Sequence, residues 1–251
     1  DEYEMRVAIN NGRYTNVFYY VVWVLMSGVL FKRYEHSLLE YQKYKKYLKN
    51  GLGTYMYSTF HFYYALTMLG MAKKDQDKKR FYLKEFRVSY KLIKKWAQYQ
   101  PFNMLNKLYI LQAEYFSVLR KTKIAMVRYQ RAISSSLENK FYHEQALANE
   151  LAGEFYLSLH NATSAKPYLI TARSIYQQWG ARNKVKELET MYGELVVERV
   201  TGPADSGQAK KSNSRHSTTA TETHFSGFKQ FLDLETVLKA SQIIAGEIRL
   251  E

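Results

Sequence analysis

The sequence has no cysteine, and its 251 residues include only 3 prolines and 12 glycines. The lack of cysteine excludes disulfides, thiolate metal sites and a cysteine nucleophile. Because proline and glycine are so sparse, long uninterrupted helices are allowed and a many-turned β architecture is disfavoured. No N-terminal signal pattern is present, so the composition fits a protein of the reducing cytoplasm.

Long apolar runs are also missing. The most hydrophobic stretch, residues 17–31, contains Tyr19, Tyr20, Ser27 and Gly28. It falls short of the roughly 20 apolar residues that a helix needs to cross a bilayer. We therefore interpret it as a buried helix and expect no membrane span.

Aromatic and basic residues are abundant instead. The sequence is 46% hydrophobic and 16% aromatic, which allows a large core, and its formal net charge is +14. Residues 32–131 hold essentially all of the excess charge, most densely from Lys73 to Lys95. These charges alternate with apolar residues at helical spacing, as at Tyr82, Phe86 and Tyr90, so we interpret them as the solvated side of amphipathic helices. A surface that contacts phosphates or an acidic partner is the alternative.

A search for chemical motifs gives no candidate catalytic, cofactor-binding or metal-binding residue. Residues 51–54 (GLGT) lack the later glycine and the Lys-Ser/Thr pair of a phosphate-binding loop. The six histidines are widely dispersed, and no HExxH motif occurs. Glu150 and Glu154 lie four residues apart on one helix face, but nothing would separate their pKa values as acid–base catalysis requires. We expect a solvated or salt-bridged face there, no cofactor, and no enzyme in this chain.

Two further features are better explained by packing than by chemistry. An aromatic series could be a stacking platform for nucleobases, but its helical spacing favours core and inter-hairpin contacts; its members are Tyr55, Tyr57, Phe60, Phe62, Tyr63 and Tyr64. The pair His143-Glu144 resembles the phospho-accepting box of histidine kinases, yet position 147 is Leu where a Pro is expected. We interpret this pair as the start of a repeat helix.

A repeat of 40 residues organises the second half of the chain. Small and large side chains recur in the same order in two copies: Ala113, Phe116, Ala125, Tyr129 and Ala132 in the first, and Gly153, Tyr156, Ala165, Leu169 and Ala172 in the second. Small residues let the two helices of a hairpin approach closely, while large ones fill the space between neighbouring hairpins. The pattern predicts an all-α fold, a right-handed superhelical stack of antiparallel α-hairpins that is tetratricopeptide-like, and it specifies packing rather than a ligand.

Turn signals divide the chain into helices and domains. The predicted helices lie near 15–31, 34–49, 56–72, 77–99, 101–120 and 182–198, with the two repeat copies supplying the remainder, and the predicted caps are Thr122, Asn161 and Gly180. Residues 1–199 form a repeat domain of about four hairpins plus a capping helix. Residues 200–230 are a flexible linker, because ten Ser or Thr occur between Thr201 and Ser226.

Residues 231–251 predict a final helix that leads to a following domain. Apolar or small residues step by four, three, four and three: Leu234, Leu238, Ser241, Ala245 and Ile248. Such a seam suits pairing with another helix in a homodimer, docking on the next domain, or docking back on the repeats. Because the chain begins at Asp1 without Met and ends inside this helix, we expect the parent protein to extend in both directions.

Several segments closely resemble one family of very large sensor kinases. They are residues 146–157 (ALANELAGEFYL), 165–173 (AKPYLITAR), 179–181 (WGA), 184–189 (KVKELE) and 232–247 (LDLETVLKASQIIAGE), with a weaker likeness at 61–66 (HFYYAL). In that family a Ser/Thr-kinase-like domain and an AAA-type ATPase domain precede a tetratricopeptide-like region, and a GAF domain and a histidine kinase follow it. The resemblance implies that this chain is the repeat region together with the helix that leads into the GAF domain. It differs from the family at Gly193, where a Pro is common, and none of the family's catalytic residues falls in it.

Two functions remain open on these grounds. The first is a protein-interaction and signal-relay segment of two-component type, which receives a neighbouring domain or regulatory protein on its concave face and transmits a change through the final helix. The second is the ATPase-linked repeat domain of a transcription regulator, with the basic tract 73–95 contacting nucleic acid. Salt should weaken phosphate binding much more steeply than a packed protein contact. We expect no specific binding to duplex DNA.

Overall fold

The computed structural model describes residues 2–196, and every regular element in that range is helical. The elements are α1 (Glu2–Asn10), α2 (Tyr14–Leu30), α3 (Tyr34–Tyr44), a 3-10 helix (Lys45–Gly51), α4 (Tyr55–Lys74), α5 (Lys79–Tyr99), α6 (Pro101–Val118), α7 (Thr122–Glu138), α8 (Tyr142–Ser158), α9 (Ala162–Trp179) and α10 (Arg182–Val196). The predicted all-α fold is confirmed. The predicted linker 200–230 and helix 231–251 lie outside the described residues.

Four antiparallel hairpins follow one another: α2 with α3, α4 with α5, α6 with α7, and α8 with α9. The first helices of the hairpins, α2, α4, α6 and α8, also pack against one another in series and form an inner layer. Helix α10 packs on α9 and extends the series beyond the last hairpin. This arrangement is an α-solenoid, in which each unit contacts mainly its neighbours. No helix within residues 2–196 combines the length and apolar character needed to span a membrane.

The turns of the second half repeat every 20 residues. Arg120, Lys140, His160 and Gly180 all have positive φ, between 56° and 84°. After each of them the chain donates an N–H back into the preceding helix, as from Lys121 to the Phe116 carbonyl at 2.9 Å. This is the left-handed closure that commonly ends helices, and it normally favours glycine. The 40-residue repeat therefore consists of two helices of equal length that end in equal turns.

Three predicted helix ends can be compared with the structure. The Asn161 side chain accepts a hydrogen bond from the Ser164 N–H at 2.9 Å, so this cap is confirmed. Gly180 ends α9 in the left-handed conformation, as predicted. The Thr122 cap is wrong, because Lys121 occupies the N-cap and Thr122 is already the first residue of α7.

The first half of the chain is less regular than the sequence predicts. Helix α1 was not predicted; it is nine residues long and buries only Met5 and Ala8. The predicted helix 34–49 is α-helical only to Tyr44 and then tightens into the 3-10 helix. That turn places Gly51 against the Phe18 ring, in space that a side chain would fill. Glycine is therefore needed at this position for packing.

The core lies along the inner layer. Every residue of 60–72 in α4 and of 144–153 in α8 is buried, so these helices are enclosed on all sides. Helix α4 is accordingly apolar almost all round over its stretch, whereas α8 also buries the polar residues Glu144, Gln145, Asn149 and Glu150. Over these stretches the solenoid fills its inner side with its own side chains, and cavities open instead near the two ends of the inner helices, one at the beginnings of α4, α6 and α8 and one at their C-terminal ends.

Candidate functional site

A cavity of about 770 Å³ opens where the inner helices begin. The first turns of α4, α6 and α8 line it, together with the C-terminal ends of α5 and α9 and the middle of α2. Its volume is within the range of cavities that bind a small molecule or a few side chains of a partner. We call it the aromatic cavity.

The wall of the aromatic cavity is rich in aromatic rings. All three tryptophans of the chain, Trp23, Trp96 and Trp179, line it. Trp23 is 57% exposed and Trp179 is 44% exposed, and two tyrosines at the rim, Tyr55 and Tyr99, are more than 70% exposed. A cluster of exposed aromatic side chains around one concavity marks a surface that another molecule covers.

A buried charged group forms part of the lining. The Lys107 ammonium lies 2.6 Å from Glu144 Oε1 and over the face of Phe141, with 4.9 Å between the nitrogen and the ring centroid. His143 Nε2 lies 2.7 Å from Glu144 Oε2. Burial alone would raise the pKa of Glu144, but hydrogen bonding to His143 and the charge of Lys107 hold that pKa below its ordinary value. The carboxylate is therefore ionised and neutralised locally.

The helix starts around the cavity leave backbone donors available. Thr54, Gln100 and Phe141 occupy the N-cap positions of α4, α6 and α8, and none makes a side-chain capping hydrogen bond. The first N–H groups of a helix have no partner within it and carry partial positive charge, although α6 lacks the donor at its first position, which is Pro101. The arrangement offers stacking, apolar contact and a few backbone donors, which suits binding. In the described part of the chain, no three His, Asp or Glu residues are grouped as metal ligands.

A second buried cluster of charges lies further along α8. We call it the ionic latch and define it as Lys32, Glu150, Glu154 and Lys184. The Lys184 ammonium lies 2.7 Å from Glu150 Oε1, and the Lys32 ammonium lies 3.4 Å from the same oxygen and 3.1 Å from Glu154 Oε2. The side chains of Glu150 and Lys184 are only 1% and 2% exposed. These ions are held away from water, so pairing is what makes their burial tolerable.

Hydrogen bonds from tyrosines complete the ionic latch. The Tyr176 hydroxyl donates to Glu150 at 2.8 Å, and the Tyr192 hydroxyl donates to Glu154 at 3.1 Å. Burial and the Glu150 charge raise the pKa of Tyr176 well above its ordinary value. Burial would lower the pKa of Lys32, but the two glutamate charges raise it well above the ordinary value. For Glu154 the Lys32 charge outweighs burial and lowers the pKa.

The ionic latch joins distant parts of the chain. The Lys184 ammonium also donates to the main-chain carbonyl of Leu30, 154 residues earlier in the sequence. Lys184 is on α10, Glu150 is on α8, and Leu30 ends α2. One ammonium group therefore connects the first hairpin, the innermost helix and the last helix. This contact goes beyond the neighbour-to-neighbour packing of an ordinary solenoid.

The predicted repeat-packing residues lie in the hairpin interfaces. All are buried except Phe116, which is partly buried; the buried ones are Ala113, Ala125, Tyr129, Ala132, Gly153, Tyr156, Ala165, Leu169 and Ala172. A Cβ added at Gly153 would lie 2.6 Å from Leu169 Cγ, so this glycine permits the close approach of α8 and α9. None of these ten residues lines the aromatic cavity.

Sequence reasoning missed most of the charged groups in these two sites. It placed the basic residues of 32–131 on solvated faces, whereas Lys107 is buried, and it made no prediction for Lys184, which is buried as well. The salt-bridged alternative for Glu150 and Glu154 is the one that the structure shows, and the solvated one is wrong. The sequence did contain one signal of a buried lysine. Lys184 lies next to Val185 and four residues before Leu188, on the apolar side of α10.

The aromatic series of α4 divides between the core and the cavity. Phe60, Phe62, Tyr63 and Tyr64 are buried, in line with the packing interpretation. Tyr55 instead stands at the cavity rim. The pair His143-Glu144 lies in the first turn of α8, as predicted.

Comparison with known proteins gives one partial similarity. A stretch of 63 residues is 38% identical to the hybrid signal transduction histidine kinase G of Dictyostelium discoideum. The match covers 24% of this chain and 2% of the length of that protein. No protein-family model matches the chain, and no solved structure matches it. The similarity fits a segment of a sensor kinase.

Proposed function

We propose that this chain is a non-catalytic protein-interaction and signal-relay segment of a multidomain sensor kinase. The observation that carries the proposal is the position of the aromatic cavity and the ionic latch on one helix, α8. Glu144 lines the cavity and Glu150 belongs to the latch, six residues or about 9 Å further along the helix axis. The similarity to a hybrid histidine kinase supports the signalling context.

In this proposal a partner inserts side chains into the aromatic cavity. Contact with the exposed rings of Trp23 and Tyr99 supplies most of the binding free energy, because large aromatic side chains dominate interfaces of this kind. The inserted group also changes the surroundings of the Lys107–Glu144 ion pair. Since α8 is enclosed by tightly packed neighbours, a shift at its first turn is transmitted along the helix to Glu150.

The ionic latch converts that shift into a movement of α10. A buried ion pair tolerates little change in geometry, because its attraction must offset the cost of desolvation. Displacement of Glu150 therefore favours release of Lys184, and with it of α10 and the Leu30 carbonyl. Helix α10 is the last described helix before residues 197–251, so it is the element that would pass a change towards the rest of the protein.

The resemblance to the large sensor kinases supplies the finer part of the proposal. The partner is a neighbouring domain of the parent chain, such as the AAA-type ATPase, or a regulatory protein in the cytoplasm. The parent then carries Ser/Thr-kinase-like, GAF and histidine kinase domains. The predicted helix 231–251 links this segment to the GAF domain or pairs with a second copy.

The test measures histidine autophosphorylation of the whole parent protein. Three variants are compared with the wild type: Trp23→Ser with Tyr99→Ser in the cavity, Lys184→Met in the latch, and Leu39→Ser as an exposed control, since Leu39 is 65% exposed and lies outside the cavity. We expect the first two to change the phosphorylation level several-fold and the control to leave it unchanged. Equal phosphorylation in all four proteins, or a parent without a kinase domain, contradicts the proposal.

A further inference from the structure

The outer face of α5 carries a continuous stripe of positive charge. Six cations occupy consecutive turns of one helix face, and all are exposed: Arg80, Lys84, Arg87, Lys91, Lys94 and Lys95. From Arg80 to Lys94 the stripe extends about 21 Å along the helix axis. Helix α5 contains seven basic residues and one acidic residue, Glu85, which gives a net charge of +6 over 21 residues.

The stripe is not neutralised by the rest of the fold. Among residues 2–196, none of the six cationic side chains has a carboxylate partner or a side-chain hydrogen bond. Lys73 and Lys74, just before α5, are by contrast both paired with glutamates. Glu85, the acidic residue of the helix, accepts a hydrogen bond from Tyr64 on the inner side. Six like charges on one face repel one another unless an anionic partner is present.

Exposed apolar residues run beside the stripe. Phe81 is 54% exposed, Val88 is 58% exposed and Tyr99 is 74% exposed. At 100° per residue these three lie on one edge of α5, within about 20° of each other and roughly 90° from the centre of the stripe. Helix α5 thus presents cations and isolated large apolar groups to the same side.

We propose that this face of α5 binds an anionic lipid surface, with the cations on the headgroups and Phe81 and Val88 inserted between them. Basic residues near an anionic leaflet are attracted to it, and interfacial helices combine such residues with large apolar groups. A helix on the outer layer of a solenoid can lie along a plane without moving the rest of the fold. The proposal does not depend on the function assigned to the aromatic cavity, because the two inserted residues, Phe81 and Val88, do not line that cavity; Tyr99 does line it and is not among the inserted residues.

The spacing of the apolar residues favours lipid over a protein helix. A docked helix needs anchors at i, i+3 or i+4, and i+7 on its partner, so that a continuous seam forms. Phe81, Val88 and Tyr99 are instead 7 and 11 residues apart, about 10 and 16 Å, with cations between them. Such isolated groups fit separate insertions into a headgroup layer.

The apolar edge also favours lipid over nucleic acid. A nucleic-acid surface gains from phosphate contacts, stacking rings and base-edge hydrogen bonds. An exposed Val88 side chain offers none of these. Four of the six cations are lysines, which act as point charges rather than as the planar forks that read phosphates and bases by paired hydrogen bonds.

The test uses co-sedimentation of the 251-residue chain with lipid vesicles. One set contains phosphatidylcholine with roughly 30% phosphatidylserine, to imitate an anionic leaflet, and the other contains phosphatidylcholine alone. We expect binding to the first set only. A stripe variant, Arg87→Gln with Lys91→Gln and Lys94→Gln, should bind about 100-fold more weakly, since each cation contributes about fivefold.

The matched control removes the same charge elsewhere. Lys166→Gln with Arg182→Gln and Lys186→Gln also lowers the net charge by three, from exposed positions on α9 and α10. We expect it to lose less than threefold, while Phe81→Ser with Val88→Ser should lose about tenfold and make binding more sensitive to salt. Circular dichroism checks that every variant keeps its helix content.

Several results would overturn the proposal. The first is no binding to anionic vesicles by the wild type. Others are equal losses in the stripe and control variants, which would indicate only an effect of total charge, or no effect of the Phe81 and Val88 changes. A stronger affinity for duplex DNA or polyglutamate than for the vesicles, unaffected by those two changes, would assign the face to a different polyanion.

Discussion

The two buried charge clusters of α8 differ in how exposed the partners of their most buried carboxylate are. The Lys107–Glu144–His143 cluster lies at the first turn and lines an open cavity, with the His143 side chain 38% exposed. In the ionic latch, about two turns later, Lys184 beside Glu150 is only 2% exposed, while Lys32 and Glu154 at the edge of the cluster are 21% and 24% exposed. Ion pairs that water can reach tolerate the loss of a partner, whereas enclosed pairs do not. We therefore expect the Lys107–Glu144–His143 cluster to respond to a bound partner and the ionic latch to stabilise the fold.

Removing one cation from each cluster should give the largest difference. Lys184→Met leaves Glu150 in a dry site with only the more distant Lys32 as counterion, so we expect a loss of about 3–5 kcal/mol in the free energy of unfolding. Lys107→Met leaves Glu144 beside His143 and the open cavity, and we expect a loss of about 1–2 kcal/mol. Urea denaturation followed by circular dichroism measures both. Equal losses of unfolding free energy in the two variants would contradict the expected difference between the two clusters.

His61 is a buried polar residue without any countercharge, so it can be compared with the two charged clusters. His61 is 7% exposed, and its Nδ1 lies 2.8 Å from Ser89 Oγ. Burial lowers the pKa of His61 from 6.5 to about 4. The unfolded state therefore binds a proton between pH 6.5 and 4 that the folded state does not, so stability is complete above pH 6.5 and falls as the pH falls through this window.

The expected loss over that window is up to about 3 kcal/mol, at 1.36 kcal/mol per pH unit. His61→Gln should remove this slope while lowering the stability at pH 7. Denaturation curves at half-unit steps from pH 7 to pH 4.5 compare the two proteins. A wild-type slope that persists in the variant would assign the acid sensitivity to other groups.

Substitutions in the left-handed turns, away from both charge clusters, should change the free energy of unfolding least. Gly180→Ala forces a Cβ into a left-handed turn, so we expect a loss of about 1 kcal/mol. Arg120→Gly and His160→Gly relieve the same strain at φ 56° and should each add about 0.5–1 kcal/mol. Thermal unfolding shows the sign of each change. A stabilising Gly180→Ala would contradict the view that the four turns are equivalent.

The 40-residue helical repeat and some of its helix ends could be predicted from the sequence. Small residues at Ala125 and Ala165 recur 40 residues apart because hairpin packing needs them, and Gly180 and Asn161 mark helix ends by local chemistry. Sequence bounds for α2, α4 and α5 agree with the structure to within about two residues. Three of the four left-handed turns were not predicted, because Arg, Lys and His there give no local signal.

The candidate site was far less predictable. Lys184 pairs with groups 34 and 154 residues away, and no local pattern encodes a contact at that separation. The aromatic cavity gathers Trp23, Trp96 and Trp179 from three different hairpins, so it exists only once the stack is wound. Helix α1 was missed for a different reason, since it has only nine residues and carries no motif or repeat match.

Hydrogen exchange in the Lys184→Met variant tests whether one buried ammonium couples the first hairpin to α10, the last described helix. Mass spectrometry at peptide resolution compares residues 28–33 and 182–196 with residues 122–138 of α7, which lie outside the latch. We expect amides in the first two segments to exchange at least about tenfold faster than in the wild type while α7 is unchanged, since local opening follows the loss of buried contacts. Unchanged exchange in 28–33, whatever happens in 182–196, would contradict this expectation.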